Sequence, residues 1–158
     1  MLAKHVMTQP VSVCQLSDNL EHAARLMWDT DCGAVPIVDD KGRAVAMLTD
    51  RDVCMAAYTQ GKRLCEITVS TAMSKSLKSC SPDDTLDQVE RLMTEFQIRR
   101  IPVLDDEGRP VGILSLHDLA QLADQHGHGA SSGFLTETAK TMAAVGAPCL
   151  REAGPRIA

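Results

Sequence analysis

Short apolar runs and one amphipathic stretch alternate along the first sixty residues of the chain. Apolar residues recur at helical spacing over residues 20–27, and Ser17-Asp18 offers an N-cap, so we predict a helix here. Shorter apolar runs predict strands at residues 11–14, 34–38 and 44–48. A second helix is predicted after Thr49 and runs to about Tyr58. The predicted order is strand, helix, strand, strand, helix.

A polar turn separates the second and third predicted strands. Asp39-Asp40-Lys41-Gly42 combines residues that are typical of a β-hairpin turn. Pro36 lies inside the second predicted strand and has no N–H to donate to a neighbour. It therefore predicts an edge strand or a strand start rather than the centre of a sheet.

The same pattern recurs 66 residues later without a gap. Residues 7–57 align with residues 73–123, and 16 of the 51 aligned pairs are identical, Cys14 with Cys80 among them. A gapless match of this length indicates a duplication, and two copies are too few for a solenoid. We therefore predict an α/β (α+β) fold in which two β-α-β-β-α repeats are related by a pseudo-two-fold axis.

The second copy predicts the same elements as the first. Its strands are expected at residues 77–80, 101–104 and 111–114, its turn at 105–108, and its helices at 83–95, entered through Ser81-Pro82, and 115–124. The chain is predicted to divide into repeat 1 at 1–59, a partly helical linker at 60–71, repeat 2 at 72–124, and a C-terminal part at 125–158. This last part is expected to form a flexible linker, a short helix at 134–145 and a loose tail.

Composition restricts the core and the partners. The four aromatic residues are too few to build a core, which must therefore be aliphatic. A net charge of -5 argues against nucleic acid as a general partner, because such binding needs clustered Lys and Arg. The N-terminus has no apolar signal-peptide region, and no apolar run is long enough to span a membrane. We therefore expect a cytoplasmic protein.

The cysteine and histidine residues show no spacing that is typical of catalysis or metal binding. None of the six cysteines forms C-x-x-C, so we expect free, mostly buried thiols in a reducing compartment. The chain has no G-x-S-x-G, H-E-x-x-H or Walker A sequence, and we predict that it is not an enzyme. His126 and His128 are too few for a metal site, and His22 has no evident relation to them, so no metal site is predicted.

Both copies carry motifs that resemble the CBS domain. Repeat 1 has Met7-Thr8 before Pro10-Val11, then G-A-V-P-I-V-D-D at 33–40 and M-L-T-D-R-D at 47–52. Repeat 2 has I-R-R-I-P-V-L-D-D-E-G-R-P-V-G-I-L-S-L-H-D at 98–118. Matching order and spacing in two copies make the chain similar to a tandem CBS pair, or Bateman module, over residues 4–124.

This resemblance implies a pair of repeats with two clefts between them. In many members the clefts bind AMP, ADP or ATP, and in others they bind S-adenosylmethionine, other ligands or nothing known. Many such modules form homodimers, as a disc of four CBS repeats, and regulate an enzyme, channel or transporter. Because neither a catalytic nor a transmembrane domain is evident, the chain resembles the stand-alone bacterial CBS-pair proteins.

The sharpest local feature is a hydroxyl residue followed three positions later by aspartate, at a predicted strand-to-helix junction. Thr49-Asp50-Arg51-Asp52 has this pattern, and Ser115-Leu116-His117-Asp118 repeats it. A helix N-terminus and a hydroxyl suit a phosphate, and the resemblance implies that Asp52 and Asp118 accept hydrogen bonds from ribose hydroxyls. The same spacing is also that of a helix capping box. The two interpretations are compatible if the hydroxyl changes partners when ligand arrives.

The resemblance also implies which residues line each cleft. One cleft is expected to combine Thr8, Cys32, Gly33 and Ala34 with Arg99, Ile113, Ser115, His117 and Asp118. The other is expected to combine Ser74, Ile98, Arg99 and Arg100 with Gly33, Met47, Thr49, Arg51 and Asp52. The arginines could bind phosphates, or they could be solvated or paired with acids such as Asp50. Val35, Met47, Ile101 and Ile113 could enclose an adenine or belong to the core.

The two repeats differ where these clefts are expected. Arg99-Arg100 in repeat 2 aligns with Gly33-Ala34 in repeat 1, and Thr49 with Arg51 occurs only in repeat 1. The cleft that gathers these cations is expected to bind more tightly. We predict a non-enzymatic adenosine-nucleotide sensor that signals to a downstream protein by conformational or oligomeric change. The alternative is an interaction or scaffold module whose clefts are vestigial and filled by its own side chains.

Overall fold

The computed structural model describes residues 1–126 and 132–146 of the chain. Repeat 1 contains β1 (Cys14–Gln15), α1 (Leu20–Asp29), β2 (Ala34–Val38), β3 (Ala44–Thr49) and α2 (Asp50–Gln60). Repeat 2 contains α3 (Leu86–Phe96), β4 (Arg100–Leu104), β5 (Pro110–Ser115) and α4 (Leu116–His126), and α5 (Ser132–Gly146) follows. Two of the three short 3-10 turns, Leu64–Glu66 and Val69–Thr71, lie between the repeats. The predicted α/β fold of two similar repeats is confirmed.

Each repeat is built on a small sheet. In repeat 1, β2 lies between β1, which is parallel to it, and β3, which is antiparallel. In repeat 2, β4 and β5 are antiparallel, and Cys80 forms a single parallel bridge to Val103. The first strand of each repeat is thus shorter than predicted. In repeat 1 the reason is that residues 11 and 12 lie along a cleft instead of pairing with a strand.

Pro36 lies in the middle strand of its sheet, where we predicted an edge strand. The prediction was wrong because β1 is only two residues long and pairs with Ile37 and Val38. Pro36 pairs with Met47 of β3 and lies one residue before the stretch that β1 covers. Its missing N–H therefore removes no bond from the β1 ladder.

The predicted N-caps of the first helix in each repeat are displaced by one or more residues. Asn19, and not Ser17-Asp18, caps α1, because its side chain accepts from the N–H of His22 at 2.9 Å. Asp18 instead closes the preceding turn and accepts from the N–H of Gln15 at 2.8 Å. In repeat 2 a Thr85–Gln88 capping box starts α3 at Leu86 rather than at residue 83. Helix propensity alone does not show which of these neighbouring polar residues caps the helix.

The two predicted hairpin turns have the same hydrogen bonds. Asp39 Oδ1 accepts from the N–H groups of Lys41 and Arg43, and Asp105 Oδ1 likewise accepts from the N–H of Arg109. Hydrogen bonds from the Arg43 side chain and backbone hold the pKa of Asp39 below its usual value. The hairpins also meet, since the N–H of Ala44 donates to the carbonyl of Gly108 at 2.9 Å. This bond joins the two repeats.

Each repeat has its own aliphatic core. The buried thiols of Cys14 and Cys80 belong to these cores, and the five described cysteines are free. Burial, together with the nearby carboxylates of Asp18 and Asp84 respectively, raises the pKa of the Cys14 and Cys80 thiols to about 12. Both groups are therefore protonated at neutral pH. The expectation of mostly buried thiols was wrong, because Cys32 and Cys65 are half-buried and Cys54 is exposed on α2.

Each core is completed by the segment that precedes the other repeat. At the N-terminus, the N–H of Ala3 donates to the carbonyl of Asp84, and the fully buried Ala3 belongs to the core of repeat 2. Between the repeats, the N–H of Val69 donates to the carbonyl of Asp18, and Val69 belongs to the core of repeat 1. Residues 3 and 69 are equivalent in the repeat, so this exchange follows the pseudo-two-fold symmetry. The division of the chain into repeat 1 (1–59), linker (60–71), repeat 2 (72–124) and C-terminal part (125–158) stays a prediction.

A further helix covers one face of repeat 2. α5 packs against α3 and α4, with Val145 in the core of repeat 2 and Thr138 Oγ1 donating to Glu90 Oε1 at 2.9 Å. The helix predicted at 134–145 is confirmed and extends slightly at both ends. Most of the predicted flexible linker and the predicted tail lie outside the described residues. Among the residues described, no helix is long and apolar enough to cross a membrane.

Candidate functional site

An open cleft lies at the junction of β3 and α2, and we call it the Thr49 cleft. Its volume is about 260 Å³, close to the lower end of the range of about 300–1,000 Å³ that is usual for small-molecule sites. The lining residues are Ala34, Met47, Thr49, Asp50, Arg51, Asp52, Ser74, Ser76, Lys78, Gln97, Ile98, Arg99 and Arg100. The structure thus brings together all residues predicted for this cleft except Gly33.

The Thr49 cleft is cationic. Four of its lining side chains carry a positive charge and two carry a negative charge. The cations come from both repeats, because Arg51 begins α2 whereas Lys78, Arg99 and Arg100 belong to the second repeat. Within the described residues, none of the four forms an ion pair closer than 4.0 Å. Of the two alternatives, pairing with acids such as Asp50 is thus not found, whereas Arg51 and Arg99 are exposed, as solvated side chains would be.

The hydroxyl-x-x-Asp pattern of this cleft forms a capping box. Asp52 Oδ2 accepts from the N–H of Thr49 at 2.9 Å and from Thr49 Oγ1 at 2.6 Å, and the N–H of Asp52 donates to Thr49 Oγ1 at 3.2 Å. The helix capping box, which we gave as the second interpretation of this spacing besides nucleotide binding, is thus present. Asp52 Oδ1 accepts no hydrogen bond from any described residue, so one carboxylate oxygen remains available to a ligand.

The N–H groups at the start of α2 already have acceptors. The N–H of Asp50 donates to the carbonyl of Gly33 at 3.2 Å, and the N–H of Arg51 donates to Asp50 Oδ1 at 2.7 Å. A phosphate in this cleft would therefore meet guanidinium and ammonium groups before it could meet backbone N–H groups. This differs from the sequence-based expectation that the helix N-terminus supplies the donors.

The equivalent Ser115 cleft lies at the junction of β5 and α4 and has a volume of about 370 Å³. It is lined by Thr8, Pro10, Val11, Ser12, Thr30, Asp31, Cys32, Gly33, Ala34, Arg100, Ile113, Ser115, His117 and Asp118. Asp118 Oδ2 accepts from the N–H and Oγ of Ser115 at 2.7 and 2.6 Å. In contrast to Asp52, its Oδ1 is also engaged, because Thr8 Oγ1 donates to it at 3.2 Å.

The charges of the two clefts differ in sign. The Ser115 cleft has one arginine against two aspartates, whereas the Thr49 cleft has an excess of two cations. Lys78 accounts for part of this difference, because the equivalent residue in repeat 1 is Ser12. Its ammonium group lies 3.9 Å from the centre of the Phe96 ring. Sequence analysis missed Lys78, although a comparison of the two clefts position by position would have identified it.

Two residues lie elsewhere than predicted. Arg99 does not line the Ser115 cleft, and Arg100 does so instead while also lining the Thr49 cleft. Arg100, the first residue of β4, lies between the two clefts, whereas Arg99 precedes the strand and reaches only one of them. Of the two clefts, Gly33 lines the Ser115 cleft and not the Thr49 cleft. Arg100 Nη2 and Asp50 Oδ2 both lie 3.0 Å from the position that a Cβ on Gly33 would occupy. Glycine at this position therefore makes room for Arg100.

The four aliphatic residues that could enclose a base separate into two groups. Val35 and Ile101 are fully buried in the cores. Met47 lines the Thr49 cleft, and Ile113 lines the Ser115 cleft. Ile98 adds a second large aliphatic side chain to the Thr49 cleft. The Thr49 cleft therefore combines cationic side chains with large apolar ones.

Comparisons with known proteins agree with this architecture. The family model of the CBS domain matches residues 3–58 and 68–124. The CBS domain-containing protein YhcV of Bacillus subtilis is 38% identical over 117 residues, which cover 74% of this chain and 81% of that protein.

Two solved structures are similar in fold. One is the CBS domain pair of protein MJ0100 in complex with 5′-methylthioadenosine and S-adenosyl-L-methionine, with a TM-score of 0.71, 25% identity, and coverage of 79% of this chain and 97% of that chain. The other is CBSX2 in complex with AMP, with a TM-score of 0.68, 25% identity, and coverage of 78% and 96%. Because the family model matches both repeats, the chain belongs to the CBS domain family, as a tandem CBS pair.

Proposed function

We propose that this CBS pair is a non-enzymatic regulatory module that binds an adenosine nucleotide, AMP, ADP or ATP, in the Thr49 cleft. The observation that carries the proposal is the group of four cations beside the free Oδ1 of Asp52. Arg51, Lys78 and Arg99 would bind the phosphates, since guanidinium and ammonium groups form strong charge-assisted bonds to phosphate. Asp52 Oδ1 would accept from the ribose hydroxyls.

The remaining part of the ligand would lie against the apolar side of the cleft. Met47 and Ile98 are the large aliphatic residues there. The complexes of CBSX2 with AMP and of MJ0100 with S-adenosyl-L-methionine support adenosine as the shared part of the ligand. S-adenosylmethionine carries no phosphate, so the cations of the Thr49 cleft favour a nucleotide over it.

Open clefts argue against the alternative of a scaffold with vestigial sites. Such a module would fill its clefts with its own side chains, whereas both clefts here have volumes of hundreds of Å³. Burial also disfavours Cys14 and Cys80 as nucleophiles, because it raises the pKa of both thiols to about 12 and so leaves little thiolate at neutral pH. We also propose a cytoplasmic location, which the free thiols of the described cysteines would suit.

Calorimetric titration with AMP, ADP, ATP, adenosine and S-adenosylmethionine tests the proposal. We expect at least one of the three nucleotides to bind with one tight site per chain. Adenosine should bind at least about tenfold more weakly, because it lacks the charge that the four cations attract. No heat with any nucleotide, or equal affinity for adenosine and AMP, would contradict the proposal.

We further propose that the module is a homodimer formed through the helices of repeat 1. Three apolar side chains on α1 and α2 are exposed, namely Trp28 at 87%, Tyr58 at 82% and Met55 at 47%. Beside them lies an apolar groove of about 630 Å³, lined by Trp28 among others. The equivalent face of repeat 2 is covered by α5. Because α5 occupies this face of repeat 2, pairing through the helices of repeat 1 is favoured. Ligand that bridges the repeats would then change this pairing, or the affinity for a downstream protein.

Trp28→Ala should raise the dissociation constant of the dimer at least about tenfold, because large exposed aromatic residues carry most of the binding energy at such interfaces. Sedimentation equilibrium over a range of protein concentrations measures this constant. Met142→Ala is the matched control, since Met142 is an exposed apolar residue on α5. A monomeric unmodified protein, or equal effects of both substitutions, would refute the proposed interface.

A further inference from the structure

Three side chains with different metal-binding donors meet where β1 leads into α1. Cys14 Sγ, a carboxylate oxygen of Asp18 and an imidazole nitrogen of His22 all lie within 4.8 Å of one another. No other group of three or more His, Cys, Asp or Glu side chains comes this close in the part of the chain that the structure describes. None of the three residues lines either cleft. Sequence analysis did not connect them, because they lie in a strand, a turn and a helix.

We propose that Cys14, Asp18 and His22 form a binding site for Zn²⁺ or a similar divalent transition-metal ion, with water as the fourth ligand. With metal–ligand bonds of about 2.0–2.3 Å, the donors of a tetrahedral zinc site lie about 3.3–3.8 Å apart. His22 Nε2 and Asp18 Oδ2 are already 3.7 Å apart. The side chain of His22 is 56% exposed, so its imidazole is free to rotate and close the longer separations.

The backbone around these donors is held in place. The N–H of Gln15 donates to Asp18 Oδ2 at 2.8 Å, and the carbonyl of Asp18 accepts from the N–H of Val69 at 2.9 Å. Asn19 caps α1 through the N–H of His22, which fixes the first turn of the helix. Binding would therefore require movement of side chains alone, which limits its entropic cost.

Repeat 2 provides an internal comparison. Cys80 and Asp84 are equivalent to Cys14 and Asp18, and Asp84 Oδ2 accepts from the N–H of Ser81 at 2.8 Å, as Asp18 does from Gln15. The third position is Gln88, whose Oε1 accepts from the N–H and Oγ1 of Thr85 in the capping box of α3. In repeat 1, Asn19 caps the helix by itself, and position 22 is free to carry an imidazole. Only repeat 1 therefore has three good metal donors.

The charges of the proposed site balance. On binding, the thiol of Cys14 releases its proton to solvent as the metal–sulfur bond forms, and His22 binds as the neutral imidazole. A divalent ion with one thiolate and one carboxylate is then electrically neutral. A neutral centre suits this position, because Cys14 is fully buried and an unpaired thiolate there would be costly.

Titration of the chelator-treated, full-length protein with Co²⁺, followed by displacement with Zn²⁺, tests the site. We expect one Co²⁺ per chain with a thiolate-to-metal charge-transfer band, and loss of that band when Zn²⁺ is added. His22→Gln, which recreates the donors of repeat 2, should weaken the affinity for Zn²⁺ at least about tenfold. His5→Gln removes an exposed histidine outside the cluster and should leave the affinity unchanged.

Two further variants make the result decisive. Cys14→Ala should abolish the charge-transfer band, with circular dichroism showing that the variant is folded. Absence of the band in the unmodified protein, or its persistence in Cys14→Ala or undiminished in His22→Gln, would overturn the proposal. So would loss of binding in the double variant His126→Gln/His128→Gln with the band intact in His22→Gln, because the metal would then belong to that histidine pair.

Discussion

Asp52→Asn should weaken the binding of AMP about a hundredfold, which corresponds to about 3 kcal/mol. The amide can keep its oxygen on the Thr49 cap, but it then presents an NH₂ group to the ribose where the carboxylate presents the free Oδ1. The hydrogen bonds that the ribose hydroxyls would donate to Asp52 are thereby lost, and bonds to a charged acceptor contribute about 1.5–3 kcal/mol each.

Asp118→Asn is the matched control for this prediction. It makes the same chemical change in the same capping geometry, since Asp118 Oδ2 accepts from Ser115 as Asp52 Oδ2 accepts from Thr49. The Ser115 cleft lacks the excess of cations, and Oδ1 of Asp118 is engaged by Thr8, so AMP affinity at the tight site should change by less than about threefold. Titration calorimetry on both variants, with melting curves to confirm folding, measures the difference. Equal losses of AMP affinity in the two variants would contradict the proposal that the Thr49 cleft is the tight site.

Ile67→Ala should lower the free energy of unfolding by about 3 kcal/mol, although residue 67 lies in the segment that was predicted as a linker. Its side chain is 1% exposed and belongs to the core of repeat 1, so truncation would leave a cavity there. Urea denaturation followed by circular dichroism gives the free energy of unfolding.

Ser70→Ala serves as the comparison, because Ser70 is an exposed residue of the same segment. Its effect should stay within about 0.5 kcal/mol. If Ile67→Ala lowered the free energy of unfolding as little as Ser70→Ala, the segment between the repeats would contribute no more to stability than a linker. The place of Ile67 in the core of repeat 1 would then be refuted.

The repeat made most of the fold and much of the candidate site predictable from sequence. The spacing of Thr49 to Asp52 and of Ser115 to Asp118 identified both strand-to-helix junctions, because apolar periodicity changes there from two to 3.6. Lys78 was missed because it follows no motif, and its place in the cleft depends on how the second repeat packs against the first. The assignment of Arg99 to both clefts failed for a related reason, since the packing of the two repeats places Arg100, and not Arg99, between the clefts.

Long-range contacts limited the rest of the prediction. Pairing of β1 with only two residues of β2 decides the place of Pro36 in the sheet, and no local pattern encodes the length of that pairing. Similarly, Cys14 lies in a strand and His22 in a helix, so no single periodic pattern relates them. Only the turn that Asp18 closes brings them together. Local propensity describes elements, whereas these features depend on contacts between elements.

The exchanged segments have a consequence for the origin of the protein. Because each core is completed by the stretch before the other repeat, an ancestral gene that encoded one repeat would have produced a chain with an incomplete core. Two such chains would complete each other by trading their N-terminal arms, as a domain-swapped dimer. Tandem duplication would join the two polypeptides and turn an encounter between molecules into an association within one molecule. The covalent link would make the association of the two repeats independent of protein concentration.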